Sequence, residues 1–168
     1  GHFVYAGARK DKDIAELNAI ENVQAVRLDV TKQEDIDAAV ELIKSEGRGL
    51  WGLVNNAGVA VTGPLHMTEH PDLHFVVSVN VGGVVSVTRA FAPMIIESQG
   101  RITTTGSIAG TLSSAGMGVY SMSKHAMEAF TDSLAADLAE TGVSVSVIEP
   151  GNYKSRIRRN VVGRIAEK

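Results

Sequence analysis

The chain has 168 residues and no cysteine, with 44% hydrophobic and 21% charged residues and a formal net charge of −3. That size fits one domain able to bury a core, and the composition excludes a disordered chain. The slight acidic balance leaves no basic footprint for nucleic acid or an anionic membrane surface, and the missing thiols exclude a disulfide framework and thiolate metal sites while fitting a reducing, cytoplasmic compartment.

The chain starts without an initiator Met, at what reads as the end of a turn entering a strand, so a preceding segment is expected. Phe3 to Ala8 is a short apolar run bounded by Gly1 and the charged cluster Arg9 to Asp13, and it reads as a buried parallel strand. Ile14, Leu17 and Ile20 then recur at helical spacing, and Val23 to Val30 reads as a second strand. Thr31 followed by Glu34 has the form of a capping box, opening a helix that carries Ile36, Ala39, Val40 and Ile43, with Gly47 and Gly49 past its end. Leu50 to Gly58 is a third strand running into a glycine. Strands alternating with helices of this length imply crossover units and an α/β fold with a parallel sheet covered on both faces.

Residues 59–68 read as a loop, punctuated by Gly63-Pro64. From Thr68 to Ile96 the seven valines between 76 and 87 favour strands by propensity. The apolar stretch Phe75 to Val87 is broken by Ser78, Asn80, Gly82, Gly83 and Ser86, so no membrane span is visible. Gly100 to Thr105 makes a fourth strand, Gly106 to Gly118 a loop, Val119 to Ala139 a helix, and Val143 to Ile148 a fifth strand ending at Glu149-Pro150-Gly151. The tail from Asn152 to Lys168 is basic. With no internal repeat and no linker, residues 1–168 read as one domain.

The chemistry centres on Tyr120-Ser-Met-Ser-Lys124. Four residues apart on a helix, the phenol and the amine share a face, about 5–6 Å apart at their Cβ atoms. A free phenol has a pKa of about 10, and a neighbouring ammonium in a partly desolvated cleft favours the phenolate, which suits a tyrosine for proton transfer at a substrate oxygen. Ser121-Met-Ser-Lys124 also satisfies the Ser-x-x-Lys pattern of acyl-enzymes, but the companion Ser-Asp-Asn and Lys-Thr-Gly segments are missing, and Ser107 lacks the Gly-x-Ser-x-Gly elbow. His66, His70 and His74 recur every four residues, yet Pro71 interrupts them and no acidic pair completes a zinc pattern.

Tyr120 and Lys124, with Ser107 thirteen residues before the tyrosine, Asn80, and the segment Asn55-Asn56-Ala57-Gly58, resemble the short-chain dehydrogenase/reductase family. The resemblance spans residues 1 to about 160 and implies a Rossmann-like, doubly wound parallel sheet and an NAD(P)-dependent oxidoreductase. Its reaction would move a hydride between nicotinamide and an alcohol or carbonyl substrate. Tyr120 would be the acid or base, Lys124 its electrostatic partner and a donor to the nicotinamide ribose, and Ser107 a second donor to the substrate oxygen. Asn80 would hold a water linking Lys124 to solvent. On the cofactor side the resemblance implies Asn56, Ala57 and Gly58 beside the adenosine ribose, Asp29 and Val30 about the adenine, and Pro150, Gly151 and Ser155 on the nicotinamide side, with Tyr120 and Lys124 lining the same site. It also implies that Thr68 to Ile96 forms two consecutive helices, with Thr68 as N-cap and Pro71 in the first turn.

The first expected strand ends Gly7-Ala8-Arg9-Lys10, with an arginine and no carboxylate before it, which favours NADP; Asp11 and Asp13 keep NAD open. The family's glycine-rich turn, first strand and first helix have no counterpart here, nor do its last strand and most of its substrate lid. The fold is therefore expected to be incomplete, and these residues alone to bind dinucleotide poorly. Trp51 to Gly58 and Glu149 to Ser155 are similar to the steroid and retinol dehydrogenase branch, hinting at an apolar substrate. The helices near 81–97 and 119–139 are similar to those that build homodimers and homotetramers in the family. A non-catalytic relative serving as an oligomeric or binding scaffold is the alternative, although it would need none of Asn80, Ser107, Tyr120 and Lys124.

Overall fold

Apolar segments that alternate with amphipathic ones produce five parallel strands and five α-helices in the computed structural model, which describes residues 1–153 together with Ile157 and Val161. The chain divides into two units, Gly1–Gly49 and Leu50–Lys168. The first contains β1 (Val4–Ala8), α1 (Asp11–Asn18), β2 (Val23–Arg27) and α2 (Gln33–Ser45), with β1 and β2 paired in parallel from Val4↔Val23 to Ala8↔Arg27. Ile36, Ala39, Val40 and Ile43 form the buried stripe of α2, at the i, i+3, i+4, i+7 spacing an amphipathic helix requires.

Two sequence expectations in this unit give way to local chemistry. Ile20 lies beyond the end of α1 and is exposed, because the helix stops at Asn18, whose side-chain oxygen accepts from the Ala25 amide at 2.7 Å. Thr31 does not cap α2. Its amide and hydroxyl both donate to Asp29 Oδ1, at 3.0 and 2.7 Å, so Lys32 becomes the cap position, without a side-chain bond, and Asp35 reaches back to accept from the Asp29 amide at 2.8 Å. Asp29 outcompetes the expected box because an Asx turn closes within two residues.

The second unit holds β3 (Gly52–Asn55), α3 (His70–Val77), α4 (Val84–Glu97), β4 (Arg101–Thr105), α5 (Gly118–Asp137) and β5 (Ser144–Ile148). Its sheet has the order β3-β4-β5, all parallel, with β4 central. Its core gathers Ile95, Ile102, Leu138 and Val143, with Leu50, Leu53, Leu134 and Val145 packed against them.

The valine-rich stretch is helical, and burial is the reason: Val76, Val79, Val84 and Val87 are all in the core, which outweighs a few tenths of a kcal/mol of propensity per residue. The two consecutive helices expected here are α3 and α4, and a π-helical turn, Ser78–Gly83, joins them into one course from His70 to Glu97. Glu69, not Thr68, is the N-cap; the Thr68 hydroxyl turns back to the Pro64 carbonyl. By length and composition this course would pass as a membrane span, yet many of its apolar residues, including Phe91, Met94 and Ile95, face the core.

The strand entry at Gly100 is the tightest point of this sheet. A Cβ there would lie 1.9 Å from the Trp51 carbonyl oxygen, which already accepts from the Arg101 amide at 2.8 Å. Neither partner is a flexible side-chain end, so Gly100→Ala should destabilise the protein by about 1–3 kcal/mol or more. Gly52→Ala meets nothing within 4 Å and should stay within about 0.5 kcal/mol of wild type in a denaturant melt.

Candidate active site

Strand β4 ends at Thr105, and α5 returns across that end. Val119, Tyr120, Ser121, Ser123, Lys124, Met127 and Thr131 are the buried residues of α5, so packing turns Tyr120 and Lys124 inward. Lys124 is 5% exposed, and its Nζ donates to the Thr105 carbonyl at 2.6 Å. The ammonium lies 5.8 Å from the centre of the Tyr120 ring, the spacing an i,i+4 pair allows. Burial pulls the Lys124 pKa down to about 8, with the nearby Glu128 charge opposing it. The amine therefore stays mostly charged at neutral pH but gives up its proton more readily than a surface lysine.

Immediately after Thr105 the chain makes a tight turn. Ser107 is buried, and its Oγ accepts from the Ala109 amide at 3.1 Å, capping the short 3-10 turn Ile108–Gly110. The hydroxyl proton of Ser107 is not used by that bond. The Ile108 amide donates to the Pro150 carbonyl at 3.1 Å, which brings the segment after β5 alongside Ser107.

Asn80 sits in the π turn, where one extra residue per turn moves a side chain off the regular helical face. At 1% exposure it holds the loop after β3 from both sides: its Oδ1 accepts from the Val59 amide at 2.8 Å, and its Nδ2 donates to the Val59 carbonyl at 2.9 Å. Nδ2 also donates to Ser123 Oγ at 2.9 Å, and Ser123 in turn donates to the Tyr120 carbonyl at 2.7 Å. One amide thus links the β3 loop to the helix that carries Tyr120. Gly58 lies beside it. A Cβ on Gly58 would be 3.7 Å from Asn80 Oδ1 and 3.8 Å from Lys124 Nζ, so the glycine leaves exposed backbone facing two polar groups. Asn56 and Ala57 are exposed as well, and Asn56 Oδ1 accepts from the Thr105 hydroxyl at 3.3 Å.

The second unit therefore gathers Asn56, Gly58, Asn80, Ser107, Tyr120, Lys124 and Pro150 about the carboxyl ends of β3, β4 and β5. Gly151 follows as exposed chain, and Ser155 lies outside the described residues, as does most of the basic tail. In the first unit, Arg9 is exposed and pairs with Asp29 at 3.8 Å, next to the half-buried Val30. Partial burial pushes Asp29 up, but the Thr31 hydrogen bonds, then the Arg9 and Lys32 charges, leave it below the usual carboxylate range. Sequence reasoning missed Val59, Ser123, the Thr105 carbonyl and Glu128. Only Glu128, one turn beyond Lys124 on α5, carried a signal, its i,i+4 spacing.

Residues 1–165 match the sequence profile of the family described as short chain dehydrogenase. Mitochondrial D-beta-hydroxybutyrate dehydrogenase of Bos taurus is 38% identical over 163 residues, a match covering 91% of this chain and 47% of that protein. Retinol dehydrogenase 7 of Rattus norvegicus is 40% identical over 162 residues, covering 94% of this chain and 51% of that protein. Among solved structures, the closed form of serine dehydrogenase complexed with NADP+ has a TM-score of 0.90 at 32% identity, covering 99% of this chain and 71% of that one. The chain spans about half the length of the curated relatives it matches. Parallel α/β architecture, a buried lysine one turn from a tyrosine, and a profile match along nearly the whole sequence agree: the chain belongs to the short chain dehydrogenase family, whose Rossmann-type fold it shares.

Proposed function

We propose that the protein is an oxidoreductase that interconverts an alcohol and a carbonyl compound with NADP, NAD being the alternative cofactor. The observation that carries this reading is the Lys124 ammonium, withdrawn from water, held on the Thr105 carbonyl and set one helical turn from Tyr120. A scaffold gains nothing from burying an amine whose pKa is thereby pulled down to about 8.

The residues present suit a dinucleotide. Gly58 leaves a cradle that a side chain would fill, with Asn80 Oδ1 and Lys124 Nζ at its edge, and the spare donors of Lys124 suit ribose hydroxyls. Within the second unit, Asn56, Ala57, Gly58, Tyr120, Lys124, Pro150 and Gly151 are the residues that would hold the cofactor; Arg9, Asp29 and Val30 of the first unit are proposed for it on the family resemblance alone. When bound, the nicotinamide donates or accepts the hydride. Tyr120 gives its proton to the substrate oxygen in the reductive direction, and Lys124 stabilises the negative charge left on the phenol oxygen. Ser107, whose oxygen already accepts from Ala109, directs its own proton to the same substrate oxygen. Asn80 positions the β3 loop, and the remaining acceptor capacity of its Oδ1 suits the water through which Lys124 would exchange protons with solvent.

NADP is favoured by the first unit's charges. Asp11, the first carboxylate after β1 and the candidate for an unphosphorylated ribose, is paired with Arg27, whose other nitrogen donates to the Arg9 carbonyl at 2.8 Å. The Arg9 side chain remains exposed for a 2′-phosphate. An apolar substrate is favoured by Leu65, Met67 and Leu112, all more than half exposed. They lie on the loops after β3 and β4, which are joined by the Gly63 amide and the Gly116 carbonyl at 2.9 Å, and Leu65 lies over Gly118 at the start of α5. Exposed Val85 and Ile96 on α4 and Met122 on α5 support self-association into a homodimer or homotetramer.

Following reduced-nicotinamide absorbance over a panel of carbonyl compounds, in the full natural reading frame, tests the proposal. Tyr120→Phe should lower kcat/KM about 10²–10⁴-fold without altering the fold by circular dichroism; an unchanged rate would remove the catalytic reading. Because the charged form of Lys124 is required and is lost as pH rises through about 8, the rate should fall on the alkaline side of that value. Arg9→Ala should raise KM for NADP roughly tenfold, equivalent to about 1.4 kcal/mol, and leave KM for NAD nearly as it was.

A further inference from the structure

Burying a polar atom without a hydrogen-bond partner is costly, so the rest of the fold must offset that cost. Among the described residues, the buried side-chain oxygens without a hydrogen-bond partner are Tyr5 OH, Thr104 Oγ1, Ser121 Oγ, Thr131 Oγ1 and Glu128 Oε1. Glu128 supplies the one carboxylate oxygen, and its surroundings are unusual. A Cβ on Gly110 would lie 2.6 Å from Glu128 Oε1 and 3.3 Å from its Cδ; a Cβ on Gly106 would lie 2.9 Å from the same oxygen. The carboxyl group thus fills the room that two glycines leave on either side of Ser107. The Lys124 carbonyl is 3.2 Å from the same point on Gly110, so the turn that carries Ser107 rests on the α5 face formed by Lys124 and Glu128.

The same position bears on Lys124. Its hydrogen-bonding partner, the Thr105 carbonyl, is neutral, and the Glu128 carboxylate, four residues on along α5, favours its charged form. On the basis of the function proposed above, we propose that Glu128 is a positioning residue of the active site: its carboxyl seats the Ser107 turn against α5 and supplies the negative charge that keeps Lys124 protonated. Groups on two elements act on Glu128 itself. Burial, then Glu149 after β5 and Asp132 on α5, push its pKa up, whereas His125 and Lys124 on α5 pull it down. The carboxylate that steadies Lys124 is thus itself held in check by two acidic neighbours.

The test is a pH–rate profile of the nicotinamide-linked reaction, in the full natural reading frame, for wild type, Glu128→Gln, Glu128→Ala, Gly110→Ala and Tyr120→Phe. Glu128→Gln keeps the shape and removes the charge, so the alkaline limb should move to lower pH by roughly half a unit or more. Glu128→Ala opens the space beneath the turn and should lower kcat about tenfold or more, with a smaller change in cofactor KM. Gly110→Ala pushes the turn from the other side and should lower kcat while leaving the limb where wild type has it. That variant, together with Glu128→Gln, decides the matter if Glu128→Ala does not fold. A Glu128→Gln enzyme with an unmoved limb and kcat within twofold of wild type overturns the inference. If Tyr120→Phe is as active as wild type, the proposed function itself fails; if Tyr120→Phe is inactive and Glu128→Gln behaves as wild type, only the role of Glu128 falls.

Discussion

The hydrogen bond from the Lys124 ammonium to the Thr105 carbonyl is the constraint on which the site depends. It fastens the middle of α5 to the carboxyl end of the central strand, and so sets the height at which Tyr120 stands and the direction in which the chain leaves β4 toward Ser107. The bond is made at a cost, since a buried amine loses hydration and its charged form becomes less favourable. A neutral carbonyl offsets part of that cost through its dipole and a carboxylate one turn away offsets more. The result is a lysine that remains cationic at neutral pH yet gives up its proton more readily than a surface lysine.

A second polar system, Asn80 with Val59 and Ser123, does for the β3 loop what Lys124 does for β4. The bond from Lys124 and the two between Asn80 and Val59 end on backbone atoms, and the bond to Ser123 Oγ alone joins two side chains. Side-chain to backbone bonds of this kind fix the position of a loop whatever residues it carries, so the surrounding side chains can vary while the site keeps its frame. The glycines complete the arrangement: Gly58, Gly106 and Gly110 each lie where a polar head group from α5 or the π turn approaches the chain.

The reliance on backbone partners also explains which parts of the structure were legible in the sequence. The pairing of Tyr120 with Lys124 was readable because i,i+4 neighbours on a helix meet whatever the tertiary fold does. The strands were readable from their apolar runs, to within one to three residues at their ends. Thr105 as a partner of Lys124 was not readable, since a carbonyl is common to every residue. Nor was the grip of Asn80 on Val59, which spans twenty-one positions. The capping box at Thr31 was misread because Asp29, two residues away, offered its backbone a closer acceptor. The helix from His70 to Glu97 carried a signal that its valines obscured. Asp72, Val76, Asn80, Val84 and Thr88 are all buried, as are Val79, Gly83, Val87, Phe91 and Ile95. Each series repeats every four residues rather than every 3.6, a period too long for a straight α-helix to keep on one face.

The π turn is what reconciles that period with the helix, because it takes up one more position than a regular turn. Loss of one residue between Ser78 and Gly83 would let the segment close into ordinary α-helix with α4 kept nearly in register, since the π turn holds one residue more than the regular turn it replaces. Val87, Phe91 and Ile95 would stay in the interior, and the change would fall on Asn80, whose bonds to Val59 and Ser123 the turn sets up. A single-codon deletion here would therefore cost the site more than the fold, whereas one inside α4, with no such turn to absorb it, would turn the following residues by about 100°.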